Sequence, residues 1–366
     1  MKVIALIILV IGSFNTIKAQ HSHIDPHNRD TQINFDQIYP LALRGEMLEM
    51  FEILNGFPED KLSASQDSIK ELYHERFIHK NENFDYNTDD IEIIELFDLY
   101  IEYWNAVCFQ QKSLEKADQQ LKDRIFLFMQ DHYDPKISRK YLDKNSKDVF
   151  NAYFKSKGIN GLASGKTGHL FDLYIWKSEE HIEYDIKLPD GSVKVPVVFM
   201  KNFISNGWSH YTTLGKMYSG GWAKKDKLFC VDNAYDRSSE SFRINYLSHE
   251  GQHFQDYESF PKLQQRDLEY RAKLAQLALG KHSVYQSIGH FIGNSTQDKT
   301  QAHPFANYCV IRDLSKAIFQ EKFVDDLSKW EGIPVEKINE ESKSLLKQHT
   351  SELNKLGRKK VKVYIE

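Results

Sequence analysis

The stretch Leu247-Ser-His-Glu-Gly-Gln-His-Phe254 constrains this chain more than any other. It sets His249 and His253 four positions apart, with Glu250 directly after the first. On a helix, side chains at that interval stand one turn above each other on the same face. Two imidazoles so arranged can reach one zinc ion, and Glu250 is then adjacent to act on water there. A catalytic zinc takes three protein ligands and keeps one position for water. The fold must therefore supply a helix here and bring a third donor back to it.

The helical signals fit. Asp236-Arg-Ser-Ser239 offers capping residues, a helix is expected from Phe242 to about Ser259, and Pro261 ends it because its ring cannot continue the hydrogen-bond ladder. Leu247, Gly251, Phe254 and Glu258 share one side, and Tyr246, His249, His253 and Asp256 another. Gly251 inside a helix costs about 1 kcal/mol against Ala, which is tolerated where another element packs closely. The next helix is expected from about Gln264 to Leu279, with Leu268, Ala272, Ala275 and Leu279 as its apolar face and Gly280 as its stop. Glu269 lies at the edge of that face. A tight turn and an antiparallel return can bring it beside the first helix. Its alternative role is a surface ion pair with Arg266 or Lys273. Asp267, Glu258 and Asp256 are rival donors, and Asp256 could instead hold a ligand imidazole from behind. An extended motif with Gly at 256 and His or Asp at 259 is absent, since Asp256 and Ser259 stand there.

His249, Glu250, His253 and Glu269, in Ser-His-Glu-Gly-Gln-His-Phe and Asp-Leu-Glu-Tyr-Arg-Ala, resemble the gluzincin class of zinc metallopeptidases. In that class the HExxH helix is followed by a glutamate ligand on the next helix. The resemblance covers a small part of the chain. It implies Zn2+ held by His249, His253 and Glu269. It also implies a peptide or protein substrate, and Glu250 as the general base that moves a proton from a zinc-activated water to the departing amine. A positive or hydrogen-bonding group should steady the oxyanion. His303, His290, Tyr308 and Arg271 are candidates, and His303 is preferred because it begins an expected helix. The competing expectation is an exported binding or scaffold protein with a structural or degenerate zinc site, which a closed four-ligand arrangement would favour.

The rest of the chain is consistent with an exported α+β protein, mainly helical. Lys2 followed by the apolar run from Val3 to Val10, and small Ala19 after it, reads as a signal peptide over residues 1–19, and hence a secreted or periplasmic protein. The apolar run is too short to span a bilayer, and no other segment has that length. Residues 20–40, with His21, His23 and His27, read as a flexible lead-in rather than a metal tract. Residues 41–160 read as a helical region. Its members are Leu43 to Leu54, Ser68 to Phe77 capped by Asp67, a helix after Asp89, and Leu121 to Met129. In the third, Ile91, Ile94, Phe97, Ile101, Trp104 and Cys108 form the expected apolar stripe.

Gly165-Lys166-Thr167 is not a phosphate-binding loop, because Asn160 stands where its first Gly is required. From residue 161 to 366 a zincin-like half is expected, a small sheet followed by the HExxH helix. Leu170 to Trp176, a hairpin of Glu183–Leu188 and Ser192–Met200 turning at Pro189-Asp190-Gly191, and Lys227 to Val231 are its strands. Further helices are expected over Val284–Ile292, Phe305–Phe319 and Ile338–Leu353, with a terminal strand over Lys359–Ile365. The formal net charge of −4 with no basic stripe argues against nucleic acid. Cys108, Cys230 and Cys309 show no CxxC spacing and read as buried free thiols. Oligomeric state is not legible.

Overall fold

A computed structural model describes residues 10–12, 37–79 and 85–366. The expected signal peptide, apart from Val10–Gly12, and His21, His23 and His27 of the lead-in lie outside the described residues. The chain is α+β and mainly helical, and it forms two compact units. Of the described residues, one unit comprises 10–12, 37–79, 85–178 and 201–219, the other 179–200 and 220–366.

The first unit is a layer of helices on short strands. It contains β1 (Val10–Gly12), α1 (Ile38–Arg44), α2 (Met47–Gly56), α3 (Ala64–His74), α4 (Ile91–Cys108), α5 (Leu114–His132) and α6 (Arg139–Ser156). After these come β2 (Asn160–Leu162), β3 (Lys166–Thr167), β4 (Leu170–Phe171) and the outer ends of β5 (Tyr174–Leu188) and β6 (Gly191–Asn206), then α7 (Gly207–Thr212) and β7 (Met217–Ser219). Gly45 ends α1 with φ +76°, a left-handed cap that favours glycine. Helix α3 starts earlier than its apolar residues suggest. Ser63 and Gln66 form a reciprocal capping box there, so Asp67 lies inside the helix. Asp90 caps α4 by accepting from the N–H groups of Glu92 and Ile93.

The buried face of α4 is Ile93, Leu96, Phe97, Tyr100, Tyr103 and Trp104, one step round from the expected stripe, and Ile91 is 79 % exposed. These side chains join Leu121, Phe128, Phe150 and Phe154 in the core of this unit. β2 pairs antiparallel with Tyr174–Trp176 of β5, and β1 with β7.

The second unit holds the hairpin end of β5 and β6, β8 (Gly221–Ala223) and β9 (Leu228–Val231). Its helices are α8 (His249–Ser259), α9 (Gln265–Leu279), α10 (Val284–Gly293), α11 (Ala302–Phe319), α12 (Leu327–Glu331) and α13 (Val335–Leu356). Its strand order is β5-β6-β9-β8. Val197–Met200 of β6 run parallel to β9, and β8 returns antiparallel at the edge. The core packs Leu274 and Leu277 of α9 against Ile288 of α10, Val310 and Leu314 of α11, and Ile338 and Leu346 of α13.

The expected terminal strand does not form. Residues 361–366 have no regular secondary structure and pair with no strand among the described residues. Their backbone is held instead by Asp267, whose Oδ1 accepts from the N–H groups of Tyr364 and Ile365, each at 3.0 Å. Cys108, Cys230 and Cys309 are free and buried. No helix among the described residues is long and apolar enough to cross a membrane.

Candidate metal centre

The segment leading into the histidine pair is not one continuous α-helix. Ser241–Ser248 form a π-helix, and the α-helical register starts at His249. Wide turns of this kind cluster at functional positions. The change of register falls at Ser248, whose hydroxyl is shared between the carbonyls of Arg243 and Lys187. One turn on, Gly251 lets α8 approach β5. A Cβ at that position would lie 2.9 Å from Ile186 Cγ2, closer than carbon atoms pack. Gly251→Ala is therefore expected to lower the melting temperature despite its better helix propensity. Overpacking costs about 1–3 kcal/mol against about 1 kcal/mol gained. In a double-mutant cycle with Ile186→Ala, the double variant should lose less stability than the two single losses added together. Strict additivity would mean that Ile186 does not explain this glycine.

Helix α9 carries the third donor. It is not amphipathic with Glu269 at one edge, as its apolar residues suggest. Every residue from Asp267 to Leu277 is buried, because α8, α11 and α13 all pack on it. Its polar side chains therefore need partners inside. Asp267 takes the C-terminal backbone. Arg271 forms a bidentate pair with Asp256 at 2.8 and 2.9 Å and also donates to Thr350. Gln276 donates to Ser287. Glu269 turns toward the histidines.

His249, Glu250, His253 and Glu269 are all 0 % exposed. The two ring Nε2 atoms are 3.2 Å apart. Glu269 Oε1 is 3.3 Å from His253 Nε2, and Oε2 is 3.6 Å from His249 Nε2. Donors bound at about 2.0–2.1 Å in a tetrahedral site lie about 3.3–3.4 Å from one another, so this trio is spaced as ligands of one small cation would be. Glu269 is held from both sides along its helix. Gln265, one turn before, donates to Oε1 at 3.0 Å, and the Lys273 ammonium, one turn after, is 3.6 Å from Oε2. His303 Nδ1 lies 3.0 Å from Oε2, and its side chain is 33 % exposed.

The electrostatics suit a cation. Burial lowers the His249 pKa to about 4 and keeps the ring neutral, the form a metal requires. Burial also disfavours charge on His253, but the Glu269 carboxylate outweighs it and raises that pKa. Burial likewise opposes ionisation of Glu269, yet His303 and the two rings together hold its carboxyl well below the usual range. Two imidazoles and one ionised carboxylate within reach of a common point fit a divalent ion. Burial pushes the Glu250 carboxyl up to about 8, with the neighbouring His253 and the Ala223 backbone N–H acting against it and the Glu269 charge adding to it. Neither oxygen of Glu250 completes a hydrogen bond of good geometry among the described residues.

The other sequence candidates fall elsewhere. Arg271 is occupied by Asp256 and Thr350, which removes it as an oxyanion group and removes Asp256 as a support for a ligand ring. The Nδ1 atoms of His249 and His253 have no hydrogen-bond partner among the described residues. Asp267 is committed to the C-terminal backbone, and Glu258 is exposed. Tyr308 stacks on Phe323, and His290 is exposed beside Asn294. Arg266 lies 4.0 Å from Asp267 and does not pair with Glu269, whereas the ion pair considered with Lys273 does form at 3.6 Å, buried rather than at the surface. Gln265 was not expected at the site, and Lys273 was expected beside Glu269 only as the partner in a surface ion pair. Their spacing of one turn either side of Glu269 is the signal that could have found them.

Compared with known proteins, the chain matches no family model, no curated protein and no solved structure.

Proposed function

We propose that the chain is a secreted or periplasmic zinc hydrolase of the gluzincin type with a zincin-like second unit, and that it cleaves peptide bonds in a peptide or protein substrate. One observation carries this reading. Three buried donors from two neighbouring helices converge at 3.2–3.6 Å beside a carboxylate that lacks a well-formed hydrogen bond. His249 and His253 would hold the ion through Nε2, and Glu269 through its carboxylate. An ion so held supplies Lewis-acid polarisation of a carbonyl and a more acidic water. Glu250 takes the proton of the attacking water on a carboxylate oxygen. Water oxygen bonds to the carbonyl carbon, the carbon–nitrogen bond breaks, and Glu250 returns the proton to the leaving nitrogen. Its raised pKa suits a group that must both accept and release a proton near neutral pH. Gln265 and Lys273 hold Glu269 in place from the same helix.

Complete burial of all four groups favours a second reading, an exported scaffold or binding protein in which the metal is structural. Elemental analysis combined with a mixed peptide library separates the two. The hydrolase reading expects about one zinc per chain, and cleavage that a chelator abolishes and added zinc restores. Bound zinc with melting stabilised by the metal, but no cleavage, would establish the structural reading instead.

A further inference from the structure

The π-helix that leads into His249 is fastened at both ends, and its first fastening is Glu240. One oxygen of that side chain, Oε1, accepts from three consecutive backbone N–H groups: Lys281 at 3.0 Å, His282 at 2.8 Å and Ser283 at 2.9 Å. It also accepts from the Ser283 hydroxyl at 2.8 Å, and that hydroxyl lies 3.3 Å from Asn245 Oδ1 inside the π-helix. Successive N–H groups turned to one point form a concave receptor for an anion, and hydrogen bonds to an ionised acceptor are roughly twice as strong as neutral ones. The turn that carries these donors follows the end of α9 at Leu279, and Asn339 of α13 holds it by donating to the Gly280 carbonyl at 3.0 Å. At the other end of the π-helix the Ser248 hydroxyl reaches the carbonyls of Arg243 and Lys187.

A π-helix closes its hydrogen bonds over five residues rather than four, so it turns less per residue than an α-helix. The eight residues of Ser241–Ser248 therefore rotate α8 about its axis relative to a continuous α-helix from the same starting point. Most π segments are single turns, and one this long persists only where neighbouring contacts hold it. We infer that Glu240 is a positioning residue of the metal centre: its carboxylate ties the start of the π-helix to the turn after α9, and so fixes the rotation at which α8 presents His249 and His253 to Glu269. This rests on metal binding by those three residues, which the hydrolase and scaffold readings share. Along α8 the two histidines lie between two ties to α9 and the turn beyond it, Glu240 before His249 and the Asp256–Arg271 pair after His253. Glu240 acts on the ligands through the backbone between it and His249.

The test uses the full chain and cobalt(II), which occupies nitrogen and oxygen sites of this kind and whose absorption spectrum reports ligand geometry. Glu240→Ala should weaken cobalt binding about 10–100-fold, the usual loss when the support of a ligand is removed, and should change the shape of the bound spectrum. Acetate matches the atoms that this substitution removes. Added acetate should fill the vacated receptor, restore the parent's spectrum and bring affinity back to within about threefold of the parent. Glu240→Gln keeps an acceptor oxygen without the charge, so its affinity should fall between the two and not respond to acetate. If Glu240→Ala does not fold, Glu240→Asp, whose carboxylate stops one methylene short, takes its place, with about a tenfold loss and the same change of spectrum expected. Parent-like affinity and spectrum in the variant, whatever its melting temperature, would make Glu240 a general brace and overturn this inference alone. A loss that acetate leaves unrepaired in Glu240→Ala also overturns it. So does acetate that alters the parent's spectrum as much as the variant's, which would place acetate on the metal. A parent that binds no cobalt overturns the metal reading and this inference together.

Discussion

Glu250→Gln is expected to lower kcat on any peptide the parent cleaves by about 10²–10⁴-fold while zinc content stays that of the parent. That is about 3–5 kcal/mol of barrier at 1.36 kcal/mol per tenfold. Gln has the size of Glu but cannot take a proton, so the variant removes one function and leaves the cavity filled. Local damage does not imitate the effect, because the Glu250 oxygens complete no well-formed hydrogen bond that Gln would break. Removing a fully buried carboxylate should also leave melting temperature unchanged or raised. A fall in activity accompanied by zinc loss would point to a disturbed ligand set instead. Undiminished cleavage would remove Glu250 as the base.

The histidine pair was legible because it depends only on helical periodicity, which is local. Periodicity placed Glu269 only at the edge of its helix's apolar face among rival acids, and the preference for it came from the resemblance to gluzincins. What surrounds Glu269 was not legible. The sequence of α9 is rich in Asp, Glu, Arg, Lys and Gln, which by composition reads as a helix with one wet face. It is buried on every side because α11 and α13, far along the chain, close over it. Burial from distant elements leaves no local pattern, so Lys273 looked like a surface residue. The π-helix before His249 was also invisible, since it is fixed partly by the Ser248 hydroxyl reaching the carbonyl of Lys187 on a strand.

Elsewhere, local signals held where one residue type decides the geometry. Pro189-Asp190 turns the hairpin, and Gly191 with φ +114° opens its second strand. They failed where the period is broken. Helix α6 gave no clear signal because its apolar residues gather in its second half and Asn145 leaves helical geometry with φ −121° and ψ 21°. The alternating tail after Lys359 reads as a strand by period, but its N–H groups are claimed by the Asp267 side chain, a contact that strand periodicity does not encode.

Glu269→Ala is expected to reduce zinc affinity by more than about 100-fold, since loss even of a group supporting a ligand costs about 10–100-fold and Glu269 is read as a ligand itself. The same change should destabilise the metal-free protein. It deprives the buried Lys273 ammonium of its only ion-pair partner among the described residues, and it leaves Gln265 and His303 facing a gap. Breaking one side of a buried pair costs about 3–5 kcal/mol. Glu269→Gln separates the two effects. It keeps the volume and one acceptor oxygen, so it should recover part of the stability in thermal melts, but its neutral amide is a poor ligand for zinc and occupancy should stay low. If elemental analysis finds both variants fully loaded, the ion is held elsewhere. Asp267 and Glu258 cannot supply the missing donor, because one is bound to the C-terminal backbone and the other is exposed. The pair His249 and His253 would then have no third protein ligand on these two helices, and the hydrolase reading would lose its metal.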